Sequence, residues 1–130
     1  MKMTFILPES LPENERKIFR ENGFDPDETK TLVRIEPTFT GDMDGYMAIS
    51  IHFRYGIGKC LHIDMVSGKN FFRLWPYYAV GFLEYFQKTD GVKFITADFI
   101  TLAKQRLAFK SGFVRILGEK TLMIFTLKGA

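Results

Sequence analysis

Residues 59–97 read KCLHIDMVSGKNFFRLWPYYAVGFLEYFQKTDGVKFITA, and this stretch decides the fold. Apolar residues alternate along Lys59–Val66, which predicts a strand, and recur at helical spacing over Asn70–Lys88, which predicts a helix. A second strand, Val92–Ala97, follows the turn at 90–91. Pro76 favours a regular helix that starts close to it, because proline fits a first helical turn and disrupts an interior one. A strand, a helix and a strand in this order imply a parallel, right-handed crossover within one sheet.

The rest of the chain adds elements on both sides of this crossover. Apolar patterns and turn signals predict three strands and a helix before it, and a helix and a hairpin after it. The further predicted strands are Met3–Leu7, Thr31–Glu36, Tyr46–Tyr55, Phe113–Leu117 and Thr121–Leu127. Two further helices are predicted: one is opened by Ser10 and Pro12 and ends at Gly23, and the other spans Thr101–Ser111. The predicted fold class is α/β (α+β): a single domain over residues 1–130, with a mixed, mostly antiparallel sheet of about six to seven strands and helices on both faces.

The hairpin around residues 56–58 has a register that can be read from its pattern. Pairing Tyr55 with Lys59 places apolar residues opposite apolar residues along one face of both strands. The same register sets His52 beside His62 and Ser50 beside Asp64 on the other face. A slip by one residue would mix the two faces, so this pairing is favoured.

Composition is that of a folded protein of ordinary size. The chain has 130 residues and 15.1 kDa, 46% apolar and 25% charged, which excludes a disordered tail and a disulfide scaffold. Cys60 is the single cysteine, so no internal disulfide forms, and a buried, inert thiol in a reducing compartment is expected. The sequence shows neither a signal peptide nor the roughly 20 apolar residues that span a bilayer. We therefore expect a cytoplasmic protein that does not bind a membrane.

Charge and aromatic content bear on the partner. Residues 1–65 carry 8 Lys/Arg and 11 Asp/Glu, net −3, whereas residues 66–130 carry 10 and 4, net +6. Such a basic half can attract a polyanion. The 14 Phe, 5 Tyr and 1 Trp, however, fall mainly at positions that read as core, so nucleic acid is not the expected partner. The rings of the central helix either pack as core against the sheet or, like Trp75, Tyr77 and Tyr78, line a groove for an acyl chain or a partner. Rings that remain exposed would favour a protein partner and allow self-association.

The order of elements resembles that of the GNAT superfamily of acyl-CoA-dependent N-acetyltransferases. The resemblance is strongest in Phe94–Phe125, where FITA, the helix TLAKQRLAFKS, the pair Gly112-Phe113 and the hairpin VRILGEKTLMIFTL follow the end of a GNAT domain. The chain is also similar to the compact GNAT-like proteins of short-tailed phages, some of them internal virion proteins. That second resemblance implies a location in the host cytoplasm or in the virion.

Two family signatures are missing when the sequence is compared with GNAT enzymes. Their cofactor loop has the form Gln/Arg-x-x-Gly-x-Gly/Ala, and a match that begins at Arg73 places Pro76 and Tyr78 at the glycine positions. The tyrosine that protonates the departing thiolate in many members corresponds to Ala108 here. The resemblance therefore implies a GNAT-like domain that is a non-catalytic binding or structural protein and that needs no cofactor.

The alternative is an active acyl-CoA-dependent N-acetyltransferase with an atypical phosphate-binding loop, which would use acetyl-CoA. The resemblance then implies that Met65 and Val66 hold the pantetheine through their backbone. The phosphates would lie near Ser67, Gly68, Lys69, Asn70 and Arg73. Asp64 or His62 would deprotonate the acceptor amine. No metal is expected, because nothing in the spacing of His52, His62 and Asp64 requires one.

Overall fold

The computed structural model describes residues 2–28, 31–36, 45–68 and 71–125. Its seven strands form one sheet in the order β1-β2-β3-β4-β5-β7-β6. The strands are β1 Lys2–Ile6, β2 Thr31–Glu36, β3 Gly45–Arg54, β4 Gly58–Ser67, β5 Phe94–Asp98, β6 Val114–Arg115 and β7 Leu122–Phe125; the helices are α1 Glu13–Glu21, α2 Phe71–Asp90 and α3 Leu102–Lys110. The predicted fold class is therefore confirmed, with every predicted strand and helix present. The single-domain boundary of 1–130 stays a prediction.

Contacts between residues divide the chain into two compact units, each built from two segments. The first unit consists of Met1–Ser50 and Ile63–Phe71, and the second of Ile51–His62 and Phe72–Ala130. In the first unit, β1 and β2 pair antiparallel from Lys2↔Glu36 to Ile6↔Leu32, and β2 continues antiparallel to β3. Helix α1 buries Phe19 against a core that it shares with these strands. The other buried members of this core are Ile6, Leu11, Leu32, Tyr46, Ala48 and Met65.

Local sequence signals explain where α1 begins and ends. Pro12 stands at the N-cap, where its missing N–H costs no helical hydrogen bond, and acidic residues follow in the first turn. Ser10, which was predicted to open the helix, instead ends the short 3-10 helix Pro8–Ser10 that precedes α1. Gly23 adopts φ +75°, and the Phe24 N–H donates to the Phe19 carbonyl at 3.0 Å, which closes the helix.

The second unit has an aromatic core. Trp75 is fully buried, with ring centroids 5.4 Å from both Phe113 and Phe125 and 6.3 Å from Phe82. Such offset and edge-on pairs add to the large apolar area that each ring buries. Of the two interpretations that the sequence left open for Trp75, the structure supports the core residue and not the exposed groove. The side chains of Tyr77 and Tyr78 lie outside the described set.

The crossover and the hairpin have the predicted directions. The Lys93 N–H donates to the Lys59 carbonyl at 3.0 Å, and His62 lies beside Thr96, three residues further along both strands. Strands β4 and β5 therefore run parallel, as predicted. The hairpin register is confirmed by the hydrogen bond from Ser50 to Asp64 and by the ring contact of His52 with His62.

The start of α2 differs from the prediction. The helix begins at Phe71, so Pro76 lies inside it. A proline at position 76 cannot donate to the carbonyl of Phe72, which is its helical acceptor. The hydroxyl of Ser111, at the end of α3, lies 2.9 Å from that carbonyl and donates to it. A partner distant in sequence thus compensates for the missing backbone N–H, which explains why the helix continues through Pro76.

Candidate functional site

The polar cluster of the second unit centres on His62, which is buried on β4. Its Nδ1 lies 2.8 Å from Oγ1 of Thr96, and its Nε2 lies 3.5 Å from Oδ2 of Asp98, both on β5. Thr121 donates to the other carboxylate oxygen of Asp98 at 2.9 Å. The ring of His52 lies edge-on to that of His62, with centroids 6.0 Å apart.

These contacts decide what His62 can do. Nδ1 and the Thr96 hydroxyl form a hydrogen bond, in which the donor depends on the tautomer of the ring. At 3.5 Å the contact with Asp98 is a weak hydrogen bond at most. Both ring nitrogens of His62 therefore face protein partners. Such a histidine suits a positioning role better than that of a free base.

The other candidate base, Asp64, has the opposite character. It lies on β4 two residues after His62, its side chain is exposed, and its Oδ1 accepts a hydrogen bond from the Ser50 hydroxyl at 3.0 Å. Among the described residues it forms no ion pair. An exposed carboxylate with an accepting oxygen still open can take up a proton. The structure thus separates the two candidates that the sequence treated alike.

The residues predicted to hold a cofactor fall at the end of β4 and the start of α2. Met65 is buried, Val66 and Ser67 are half-buried, and Gly68 is exposed with φ +144°, a conformation that favours glycine. Arg73 is exposed in the first turn of α2. Lys69 and Asn70 lie outside the described residues. Their joint role in binding a cofactor stays a prediction.

The proposed match of the GNAT cofactor loop to residues 73–78 is not supported by the helix boundaries. Pro76 and Tyr78 lie inside α2, three and five residues beyond Arg73, whereas Gly68 lies before the helix, directly after β4. A phosphate-binding loop precedes a helix and uses its first N–H groups. Pro76 and Tyr78 therefore say nothing about the state of that loop, and the argument for its loss no longer holds.

The end of α3 is as the sequence suggests. Ala108 is fully buried, and its carbonyl accepts from the Phe113 N–H at 3.0 Å, while Gly112 adopts φ +107°. Gly112 and Phe113 together close the helix. The Phe109 side chain is 66% exposed. Neither Ala108 nor Phe109 can donate a proton, so this part of the prediction is unchanged.

A buried ionic cluster in the first unit was missed from the sequence. Both guanidinium nitrogens Nε and Nη2 of Arg34 donate to the Glu15 carboxylate, at 3.1 and 2.6 Å, and the Tyr46 hydroxyl donates to the same carboxylate at 2.8 Å. Burial, followed by the hydrogen bond to Glu15, raises the pKa of Tyr46 to about 12. From the sequence, Glu15 was explained only by its place in the first turn of α1. The cluster is fully paired and supports the core.

Two further candidates were a reactive thiol at Cys60 and a metal site. Cys60 is fully buried and burial raises the pKa of its thiol, in line with the inert thiol that was predicted. Within the described ranges, no three His, Cys, Asp or Glu side chains are grouped so as to hold a metal ion. Over the same ranges, no helix combines the length and apolar character needed to cross a membrane.

No protein-family model and no curated protein matches the chain. Solved structures do. A chain of the KacTA–DNA complex matches at a TM-score of 0.63 and 10% identity, over 96% of this chain and 93% of that one. AtaT complexed with acetyl-methionyl-tRNAfMet matches at 0.59 and 9%, over 96% and 95%. The N-acetyltransferase PseH of Campylobacter jejuni matches at 0.57 and 10%, over 98% and 99%.

These matches correct one prediction and confirm another. The sequence led us to exclude nucleic acid as a partner. That exclusion is wrong, because two proteins of the same fold occur in complexes with DNA and with tRNA. The similarity covers nearly the whole chain in each case. The chain therefore has the fold of the GNAT acetyltransferases.

Proposed function

We propose that the protein is an acyl-CoA-dependent N-acetyltransferase. The observation that carries the proposal is the order of three features: strand β4 ends at Ser67, Gly68 follows with φ +144°, and α2 begins at Phe71. A strand followed by a glycine-containing turn and a helix N-terminus is the arrangement that binds phosphate groups. PseH, which shares the fold, is an N-acetyltransferase. Acetyl-CoA supplies an acetyl group on a thioester, with the thiol as leaving group.

The first turn of α2 suits an external anion. The first four N–H groups of a helix have no partner within it, and they form the positive end of its dipole. Proteins commonly place an acidic residue there, but the first turn of α2 contains none and carries the exposed Arg73 instead. Pro76 lies too far along the helix to remove one of these N–H groups. The residues present therefore fit the phosphates of a CoA molecule.

Asp64 is the proposed base. Its exposed carboxylate takes the proton that the acceptor amine loses as nitrogen bonds to the acyl carbon and the carbon–sulfur bond breaks. The hydrogen bond from Ser50 orients the carboxylate. His62, held by Thr96 and Asp98, acts as a positioning residue at the centre of the sheet.

A non-catalytic role is the second candidate, and the character of α3 favours it. The position that donates a proton to the thiolate in many GNAT enzymes is the buried Ala108. A binding or structural protein, of the kind that the similarity to phage-encoded GNAT-like proteins implies, requires no such donor. A phage origin stays a prediction.

The test is calorimetric titration with acetyl-CoA and with CoA, followed by an assay of thiol release with a panel of amines. The panel contains polyamines, peptide N-termini and an aminoacyl-tRNA, since AtaT binds an acetylated one. We expect micromolar binding of the cofactor. Asp64→Asn should lower kcat by roughly 10²- to 10⁴-fold and leave CoA binding unchanged.

Matched variants make the result specific. Glu84→Gln removes an exposed carboxylate on α2 and should change neither binding nor rate. Arg73→Gln should weaken CoA binding, while Lys88→Gln at the far end of the same helix should not. No heat at millimolar acetyl-CoA would reject the transferase and leave the non-catalytic role. Full activity in Asp64→Asn would reject Asp64 as the base.

A further inference from the structure

A groove lies between α3 and the terminal hairpin, away from the residues considered above. Its volume is about 490 Å³, and side chains of α3, β6 and β7 line it. Leu102, Arg106 and Phe109 share one face of α3, because they are spaced by four and three residues. Val114 on β6 also lines the groove. We refer to this feature as the α3–β6 groove.

The apolar side chains that line the α3–β6 groove are accessible to solvent. Leu102 is 68% exposed, Phe109 66% and Val114 54%. Three large apolar side chains this open, on adjoining elements, form a patch that soluble proteins commonly use for binding. The Gln105 side chain, which donates to the carbonyls of Phe99 and Lys120, ties α3 to the chain before and after it. The groove is therefore preformed.

The rim of the groove is positively charged. Arg106, Lys110 and Arg115 line it, and no described lining residue carries a carboxylate. None of the three cations forms an ion pair with a residue in the described ranges. Two of them are arginines, whose planar guanidinium groups bind phosphate oxygens in pairs. The groove thus offers an anion three cations that no described acid neutralises.

We infer that the α3–β6 groove binds a short stretch of single-stranded nucleic acid. A base stacks on the exposed ring of Phe109, and the neighbouring apolar side chains cover its flanks. Arg106, Lys110 and Arg115 contact the phosphates on either side. Aromatic faces interleaved with cations are the combination that single-strand binders use, and the order of residues along α3 supplies both on one face.

An acidic protein segment carries the same negative charge as a nucleic acid and could also be attracted to the rim. The size of the groove favours nucleotides. A volume near 490 Å³ is that of a small-ligand pocket, which usually measures about 300–1,000 Å³. A helix or strand from a partner protein needs a longer surface, about 800 Å² on each side in a standard interface. One base with the phosphates on either side of it is a ligand on the scale of such a pocket. This inference does not depend on the proposed acetyl transfer.

The experiment measures fluorescence anisotropy of a labelled oligouridylate of about 10 nucleotides, with the whole chain as the binding partner. The same assay uses an oligodeoxythymidylate, a duplex of equal length and an acidic amphipathic peptide. We expect micromolar binding of both single strands and weaker binding of the duplex. The logarithm of the affinity should fall with the logarithm of salt concentration with a slope of about −2, for three phosphate contacts at about −0.7 each.

Variants test the residues separately. Phe109→Leu keeps an apolar side chain at an exposed position and should weaken single-strand binding by roughly 5- to 150-fold, the loss of one stacked base. Changing Arg106, Lys110 and Arg115 together to Gln should abolish the salt dependence. The control changes Lys59, Lys88 and Lys93, which are exposed elsewhere, to Gln and so removes the same charge.

Each contrary outcome overturns the inference. If the control triple variant weakens binding as much as the groove variant, the attraction is general and not local to the groove. If Phe109→Leu binds as tightly as the parent, no base stacks on this ring. If the acidic peptide binds and the single strands do not, the groove is a peptide site. Circular dichroism of each variant shows that the fold is retained, as the exposure of these side chains leads us to expect.

Discussion

The hydrogen bond from Ser111 to the Phe72 carbonyl should stabilise α2 specifically because Pro76 is there. Proline leaves the carbonyl four residues before it without its usual helical donor, and the Ser111 hydroxyl lies 2.9 Å from that oxygen. Ser111 is buried, so water does not readily replace it. We expect Ser111→Ala to lower the free energy of unfolding by about 1–2 kcal/mol, the range for losing a buried hydrogen bond.

The coupling between the two positions is the sharper test. In Pro76→Ala the new N–H at position 76 can donate to the Phe72 carbonyl, so the serine becomes less important. The Leu107 carbonyl is also 2.9 Å from the Ser111 hydroxyl, so in Pro76→Ala the single hydroxyl proton can be donated there instead. We therefore expect Ser111→Ala to cost about 1 kcal/mol less in Pro76→Ala than in the parent, an interaction energy within the usual range for contacting residues.

Urea denaturation of the four proteins in this cycle, followed by circular dichroism, measures the effect. Thr89→Ala is the control, since its hydroxyl donates to the Tyr85 carbonyl from an exposed position in the same helix. That change should stay within about 0.5 kcal/mol. If Ser111→Ala costs the same with Pro76 and with Ala at that position, the serine does not replace the missing donor and the explanation of the helix start is wrong.

Other consequences can be measured on single variants. The pKa of Tyr46 is raised to about 12, so the folded state keeps this proton to a higher pH than the unfolded chain. The contribution of Tyr46 to stability should therefore be constant below about pH 10 and be lost between about pH 10 and 12. Tyr46→Phe should remove that alkaline loss in pH-dependent denaturation. Gly112→Ala should destabilise the fold by more than Gly118→Ala, since both have positive φ but only the first would place a Cβ 2.9 Å from an aromatic ring; thermal unfolding compares them. Cys60 should resist a thiol reagent in buffer and react in denaturant, because it is fully buried; rapid labelling of the native protein would contradict this.

The sequence predicts most of the sheet because strand signals are local. Alternation of apolar and polar residues specifies which face of a strand is buried, and a slip by one residue reverses it. The predicted register of the β3–β4 hairpin is therefore confirmed at Ser50 with Asp64 and at His52 with His62. Strand β2 has the predicted bounds, and Gly23 ends α1 as expected.

The errors arise where a distant side chain changes a local preference. Proline in a helix interior is unfavourable on local grounds, and a rule based on them places the helix start at Pro76. Ser111, 35 positions further along the chain, supplies the missing donor, and no sequence pattern links the two residues. The ion cluster of Glu15, Arg34 and Tyr46 is similar, since its members are brought together only by tertiary packing.

The exposure of aromatic residues was predicted correctly in one place and wrongly in another. Trp75 and Phe113 are core residues, as their apolar neighbours suggest. Phe109 occupies the last turn of α3, whose apolar positions are shared between two sides, and it is largely exposed. Composition alone cannot separate the two cases, because burial depends on which face of α3 meets the rest of the unit. The exclusion of nucleic acid relied on treating all rings alike.

Cofactor binding and nucleic-acid binding are separable because they rely on different residues. The first depends on Gly68 and on the start of α2, whereas the second depends on α3 and β6. Binding of both ligands would make a nucleic-acid-linked amine, such as an aminoacyl-tRNA, the first acceptor to assay. Binding of CoA alone would point to a small amine or a peptide. Binding of the single strand alone would identify a GNAT fold used for recognition without transfer, which the buried Ala108 on α3 would then explain.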